Sequence, residues 1–254
     1  GGFGRRLGDY VMDAVRLSKA AGKPVKVVWT REDDMDGDYF RPSSYNVLSA
    51  GIDAAGKPVF WQHRIVSPSI MATLGPGLFG FAPPADRLDD SATEGAHTLP
   101  YDTENLFVDW VRPDHGVPVG FWRSVGSSHT AFSTECFLDE VAQAAGKDPL
   151  AFRLSLLEKH PRHAGALKLA AEKAGWGKPL PKGMGRGIAV HESFGSYVAE
   201  VAEVSVDKGG HVKVHRVVIA VDCGQVVNPD TVAAQMEGGM VYGLTAALYG
   251  EINI

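Results

Sequence analysis

The sequence predicts an α+β fold, with mixed sheets and packed helices. Three observations point to it. Apolar or alternating runs at residues 25–29, 45–66, 105–113 and 187–221 have the pattern of strands. Apolar residues at helical spacing recur at 11–18, 131–145, 150–157, 165–174 and 229–248, several behind an N-cap signal. Turn signals at Ala54-Ala55-Gly56-Lys57 and Lys208-Gly209-Gly210 join neighbouring strand runs into hairpins.

Composition narrows the function. The 254 residues suffice for one large or two modest domains, and 44% hydrophobic content is that of a globular chain. A formal charge of −5 argues against nucleic acid, which needs a basic surface. The sequence contains no apolar run of membrane-spanning length. Two cysteines, Cys136 and Cys223, are too few for an iron–sulfur cluster of the usual four-thiolate kind and suggest no disulfide framework. Cys136 lies within a helical pattern and is expected to be a buried packing thiol. The chain starts inside a glycine loop and stops at the strand-like Glu251-Ile252-Asn253-Ile254. A fragment, or one piece of a split subunit, is therefore expected.

The elements follow in order. Asp9 is a good N-cap for a helix with the stripe Val11, Ala14, Val15 and Ser18, ended by Gly22 and Pro24. Residues 25–29 are nearly all apolar, as in a strand covered on both faces. The opening glycine loop lacks the Gly-x-Gly-x-x-Gly spacing of a nicotinamide site, so that reading is rejected. Residues 31–41 form an acidic loop; Glu32, Asp33, Asp34 and Asp36 do not match EF-hand spacing. Residues 67–100 are rich in Gly, Pro and Ala, and are read as long loops with one short helix near 70–74. Within them, Gly75-Pro76-Gly77-Leu78-Phe79-Gly80-Phe81 suits either a substrate channel or plain surface packing. Asp148-Pro149 starts a helix with Leu150, Leu154 and Leu157 inward, and a third helix ends at Gly175. Three strands follow, and then Asn228-Pro229 opens a helix that runs through Gly238-Gly239 to about Leu248. Close packing of a cofactor or a neighbouring helix would explain those glycines. The Gly/Pro/Lys stretch beginning at Trp176 divides the chain into a first part, 1–176, and a second, 177–254.

The most informative stretch is Gly120-Phe121-Trp122-Arg123-Ser124-Val125-Gly126-Ser127-Ser128-His129-Thr130. It reads as an extended chain, a tight glycine-flanked turn and a helix start. Unpaired N–H groups and partial positive charge at a helix start favour an anion or a polar cofactor edge. Arg123 adds a forked cation. The plain alternative is a capped loop with Arg123 in a salt bridge.

Three motifs carry a resemblance. The turn above, with Phe-Leu-Asp-Glu-Val-Ala in the helix after it, resembles the large subunit of the xanthine dehydrogenase and aldehyde oxidase family of molybdenum hydroxylases. It is most similar to the isoquinoline 1-oxidoreductase beta-subunit branch. The opening Gly1-Gly2-Phe3-Gly4-Arg5-Arg6 resembles the family's loop beside the molybdenum. Asp222-Cys223-Gly224-Gln225-Val226-Val227-Asn228-Pro229, with Gln235-Met236-Glu237-Gly238-Gly239, is similar to its pterin-proximal segment.

The resemblance implies a molybdopterin-binding part of a bacterial oxidoreductase that hydroxylates an N-heterocycle or oxidises an aldehyde. The implied cofactor is molybdenum-molybdopterin cytosine dinucleotide. The implied cofactor-binding residues are Gly2, Phe3, Gly4, Arg5, Trp122, Arg123, Ser124, Val125, Gly126 and Gln235. The implied partners are a [2Fe–2S] small subunit, a cytochrome c subunit or further segments of the large subunit, and a small-molecule substrate. Leu7 and Val125 replace residues typical of the xanthine enzymes, so a purine substrate is not expected. The Met-Gly-Gln-Gly loop and the segment supplying the base glutamate have no counterpart here. The base is expected outside these residues, and the isolated chain is expected to be inactive. Glu192 and Glu237 qualify by residue type only, and a salt bridge or cap is the plainer role for each. The competing reading is a structural or assembly module that binds no cofactor alone.

Overall fold

The strand and helix signals resolve into an α+β chain in the computed structural model, which describes residues 9–81, 83–84, 87–114 and 116–251. In order these are α1 (Asp9–Ala21), α2 (Arg31–Asp36), β1 (Tyr45–Ile52), β2 (Pro58–Val66), α3 (Ile70–Phe79), α4 (Asp90–Thr93), β3 (Leu106–Val111), α5 (Ser127–Ala144), α6 (Pro149–Leu156), α7 (Pro161–Ala174), β4 (Met184–Ser193), β5 (Ser196–Val206), β6 (Val212–Asp222) and α8 (Pro229–Leu248). Two compact units result. The first holds Gly1–Gly51, Phe60–Leu99 and Asn105–Thr134; the second holds Ile52–Val59, Pro100–Glu104 and Glu135–Ile254.

The first unit is built on a three-stranded sheet of order β1-β2-β3. β2 and β3 run parallel, in the register Trp61↔Leu106 to Val66↔Val111. A parallel pair needs a long crossover, and the chain between them carries α3 and α4. On β2, Trp61, His63 and Ile65 alternate inward and are almost fully buried, as the two-residue strand period requires. Ser69 caps α3 by accepting from the Ala72 N–H at 3.0 Å and donates to Asp89 Oδ2 at 2.6 Å. Asp89 in turn caps α4 through the Ser91 N–H.

The second unit sets α7 against the antiparallel sheet β4-β5-β6. α7 buries His163, Ala166, Leu167, Ala170, Ala171 and Ala174 at helical spacing, and small side chains let it lie close to the sheet. The sheet buries Ile188, Val190, Ala199, Val201 and Ala220. Beside this layer a charge is fully buried. Arg153 of α6 donates to Glu135 Oε2 at 2.9 Å, to the Glu135 carbonyl at 3.0 Å and to Asp139 of α5. Glu135 also accepts from Tyr101 Oη at 2.6 Å and from the Val190 N–H at 3.0 Å.

Several expectations require correction. Residues 25–29 form no strand: no neighbouring strand pairs with them among the described residues, and Val28 stays 73% exposed. The acidic loop begins as α2, because Thr30 and Asp33 close a reciprocal capping box. Residues 75–79 belong to α3, which continues through Pro76 to a left-handed Gly80. On α5 the apolar stripe is only partly inward. Leu138, Val141 and Ala142 are buried, but Phe132 is 73% exposed, and Cys136 is exposed rather than a buried thiol. The inward face of the first half of α5 is polar, with His129, Thr130, Ser133, Thr134 and Glu135. On α6, Phe152, Arg153, Leu156 and Leu157 are the buried set, while Leu150 and Leu154 are half-buried. The ion pair with Glu135 draws Arg153 inward and turns the helix accordingly. The stripe of α1 remains exposed, with Val11 and Val15 about half accessible. α8 has no buried residue, and a Cβ on Gly238 would meet nothing within 4 Å.

Arg153→Met should destabilise the chain by about 3–5 kcal/mol, since it strands a buried carboxylate. Combining it with Glu135→Gln should recover part of the loss. Urea unfolding followed by circular dichroism measures both, and an unchanged midpoint in the single variant would contradict this account.

Candidate functional site

The turn at residues 122–126 is held by close contacts on both sides. Upstream, Phe40 and Val119 form a parallel bridge, with Phe40 N–H to Pro118 O at 3.0 Å and Gly120 N–H to Phe40 O at 2.9 Å. A Cβ on Gly120 would lie 2.6 Å from Tyr39 Cβ, so only glycine allows this approach. The bridge brings Arg41 over Trp122, its guanidinium carbon 4.4 Å from the ring centroid, a cation–π contact. Downstream, a Cβ on Gly126 would lie 2.4 Å from the Ser91 carbonyl oxygen.

Between these anchors the backbone is strained. Ser124 and Val125 have φ of 65° and 49°. Left-handed geometry costs a non-glycine residue on the order of 1–3 kcal/mol, and a β-branched residue adopts it rarely. The surroundings hold it in place. Val125 N–H donates to Trp122 O at 2.9 Å, and Ser124 Oγ donates to Arg123 O at 2.6 Å. Val125 and Phe121 pack against the cluster of Ile70, Leu74 and Val119. Strain of this kind concentrates at functional sites.

The start of α5 differs from the expected open anion site. Glu94 Oε1 accepts from the Ser127 N–H at 3.2 Å. Ser128 N–H donates to Val125 O, and the His129 and Thr130 N–H groups donate to Gly126 O. The chain thus answers its own helix terminus, with a carboxylate where the dipole favours one. Thr130 Oγ1 to Glu94 O at 2.6 Å and His129 Nε2 to Ala92 O at 3.0 Å complete the anchor.

Trp122, Arg123, Ser124, Val125 and Gly126 are therefore brought together in the first unit, the first four half-buried and Gly126 buried. Gln235 belongs to the second unit, exposed on α8. Gly2, Phe3, Gly4 and Arg5 lie outside the described residues. Glu192 closes the β4–β5 turn: its Oε1 accepts from Gly195 N–H at 2.7 Å. Among the described residues, no group of three or more His, Cys, Asp or Glu is placed to hold a metal ion. Among the described residues, too, no helix is long and apolar enough to cross a membrane. Sequence reasoning missed Arg41, Tyr39 and Glu94. Glu94 caps a residue 33 positions away, and no local period signals such a pair.

Two histidines of the first unit are buried, His63 and His129. Burial, and then the proximity of His129, lowers the His63 pKa from 6.5 to about 4. Its Nε2 lies 2.8 Å from Asn46 Oδ1. Burial lowers His129 as well.

Gly126→Ala should destabilise the chain by about 1–3 kcal/mol through overpacking on Ser91. Ser124→Gly should stabilise it by about 1 kcal/mol by relieving the left-handed strain. Thermal melts of the two variants should therefore move in opposite directions, and a shared direction would contradict the strained-turn account.

The folded pKa of His63 lies below its unfolded value, so the native state binds fewer protons. Its contribution is complete above pH 6.5 and is lost as pH falls from 6.5 towards 4. The unfolding midpoint should decline across that window. His63→Gln should flatten the decline, and an unaltered slope would exclude His63 as its source.

Comparisons with known proteins identify the family. Family profiles described as molybdopterin cofactor-binding domain match residues 1–156 and 156–254. Isoquinoline 1-oxidoreductase subunit beta from Brevundimonas diminuta is 33% identical over 260 residues, covering 100% of this chain and 33% of the relative. A membrane-bound aldehyde dehydrogenase [pyrroloquinoline-quinone] from Gluconacetobacter polyoxogenes is 35% identical over 279 residues, covering 100% of this chain and 36% of that protein. The chain thus spans about a third of the length of these curated relatives. Quinoline 2-oxidoreductase from Pseudomonas putida 86 shares the fold, with a TM-score of 0.55 at 16% identity over 84% of this chain and 31% of that one.

Proposed function

The chain belongs to the molybdopterin cofactor-binding domains of the xanthine dehydrogenase family, and we propose that it forms one wall of the cofactor pocket in a molybdenum-dependent oxidoreductase. The substrate class is an N-heterocycle or an aldehyde. The observation that carries the reading is the strained turn at Ser124 and Val125, fixed between Gly120 and Gly126 in the stretch most similar to the family's pterin-proximal turn.

The residues present fit such a group. A left-handed turn without long side chains at Ser124 and Gly126 offers backbone to a flat polar ring. The half-buried guanidinium groups of Arg41 and Arg123 suit a phosphate-bearing cofactor. When bound, the molybdenum centre supplies the redox chemistry, and the protein supplies binding and orientation. Arg123 and Ser124 would hold the cofactor edge, Val125 and Gly126, packed behind them, would fix the turn, and Trp122, stacked under Arg41, would keep it from rotating. Gln235, in the second unit, is assigned by resemblance alone, as are Gly2, Phe3, Gly4 and Arg5. The cofactor is the cytosine dinucleotide form, and residues 1–176 and 177–254 are its two binding parts. The base glutamate lies outside these residues. A [2Fe–2S] subunit would be the chain's electron-transfer partner, and a cytochrome c subunit a further one.

The test is metal analysis of the full gene product, with pterin fluorescence after denaturation and anaerobic dye reduction by quinoline-type heterocycles and aldehydes. Molybdenum and pterin near one per chain are expected. Arg123→Ala should lower occupancy roughly tenfold or more, as loss of a charge-assisted hydrogen bond costs about 1.5–3 kcal/mol, and Arg123→Lys should restore part. Quinone without molybdenum would overturn the cofactor assignment. A protein free of both would favour a structural module.

A further inference from the structure

We propose that Arg162 is a positioning residue that clamps the loop at residues 222–228, and through it sets the start of the helix carrying Gln235. The inference rests on the molybdopterin reading above and assigns a role to a residue outside its motifs.

Arg162 lies in the first turn of α7, just after Pro161. A cation is disfavoured there by the helix dipole, and the α7 cap residue, His160, makes no side-chain cap bond. Something other than helix stability must account for an arginine at this place. Its fork grips one carboxylate: Nε donates to Asp222 Oδ2 at 2.8 Å and Nη2 to Asp222 Oδ1 at 2.7 Å. Nη2 also reaches the Asp222 carbonyl at 3.4 Å. The guanidinium is stacked on Tyr197 of β5 at 4.2 Å from the ring centroid, and His163 meets the same ring edge-on at 4.7 Å. The stack sets the plane of the fork, so the pair has one geometry rather than many.

Asp222 is the last residue of β6 and the first of the Asp222-Cys223-Gly224-Gln225 motif. Its Oδ1 accepts from the Gly224 N–H at 3.1 Å, and Gly224 sits at φ 75°, where glycine is favoured. One carboxylate therefore joins the arginine to the turn that leaves the sheet. The loop then reaches Asn228, whose side chain caps α8 through the Thr231 N–H at 3.0 Å. Exposed ion pairs add little to stability in general. A bidentate, stacked pair instead selects a direction for the chain. Hydrogen bonding to Arg162 also lowers the Asp222 pKa to about 2, so the clamp stays charged throughout the working pH range.

Cys223, half-buried beside Asp222, is a built-in reporter of the loop, and exposed Cys136 on α5 is an internal reference. The experiment measures alkylation of each thiol by peptide mass mapping in the intact enzyme, together with pterin content. Arg162→Gln should raise the Cys223 rate about fivefold or more through local opening, leave Cys136 unchanged and lower pterin occupancy. Asp222→Asn should match it, and the double variant should add little more. Arg162→Lys should fall between. If Arg162→Gln raises both thiol rates, it has unfolded, and Arg162→Lys then decides. An unchanged Cys223 rate overturns the clamp. A raised rate with unaltered pterin occupancy overturns the positioning role. Wild-type enzyme without pterin overturns the molybdopterin reading, and the Cys223 rates still judge the clamp.

Discussion

The buried pair of Arg153 and Glu135 is the interaction on which the second unit depends. Burial pushes the Glu135 carboxyl up, against the pull of Arg153, Tyr101 and the Val190 N–H. Burial, reinforced by the carboxylate, likewise raises the Tyr101 hydroxyl and keeps it a donor. The Arg153 guanidinium stays charged, because the carboxylates around it outweigh its own desolvation. A carboxylate held by these donors fixes α5, α6, β4 and the segment at residue 101 to one another. Apolar contacts alone would not select that single arrangement, since they are non-directional. Hydrogen bonds to a buried charge do, because any slip leaves a desolvated group unpaired.

In the first unit, α5 begins at a turn with the opposite character. It is strained rather than satisfied, and its surroundings hold it there. Gly120 admits Tyr39, Gly126 admits Ser91, and Val125 is pressed into an apolar cluster. Glu94 answers the helix terminus from within the chain. The positive charge near the turn is therefore that of side chains, Arg41 and Arg123, rather than of exposed helical N–H groups. That distinction matters for ligand choice. Guanidinium groups recognise oxyanions by geometry as well as charge, whereas a bare helix start selects mainly by sign.

The caps and turns were legible in the sequence because their signals are local. Asp148-Pro149, Asn228-Pro229 and Gly175 act within a few residues of their own position, and all stand where they were read. The hairpin at residues 45–66 and the three strands of the second sheet were legible for the same reason: alternation is a property of consecutive residues. Failures came where a distant partner decided the outcome. Residues 25–29 have the composition of a strand and, among the described residues, no strand beside them. The stripe on α5 misled because its inward face is polar for two turns, and hydrophobic periodicity is blind to buried polar groups. Arg153, a charged residue on an amphipathic helix, would ordinarily be placed in solvent.

The sequence by itself determined the α+β class, most element boundaries, the resemblance to molybdopterin-binding subunits and the stretch where that resemblance is densest. All of these rest on neighbours in the chain. Only the tertiary structure decided that Ser124 and Val125 are left-handed, that Arg41 stacks on Trp122, that Glu94 closes α5 and that Arg162 grips Asp222. The last three join residues far apart in sequence, and the left-handed turn is held by such contacts. Their pairing follows from a distance in space and a direction of approach, and neither quantity is written in residue order.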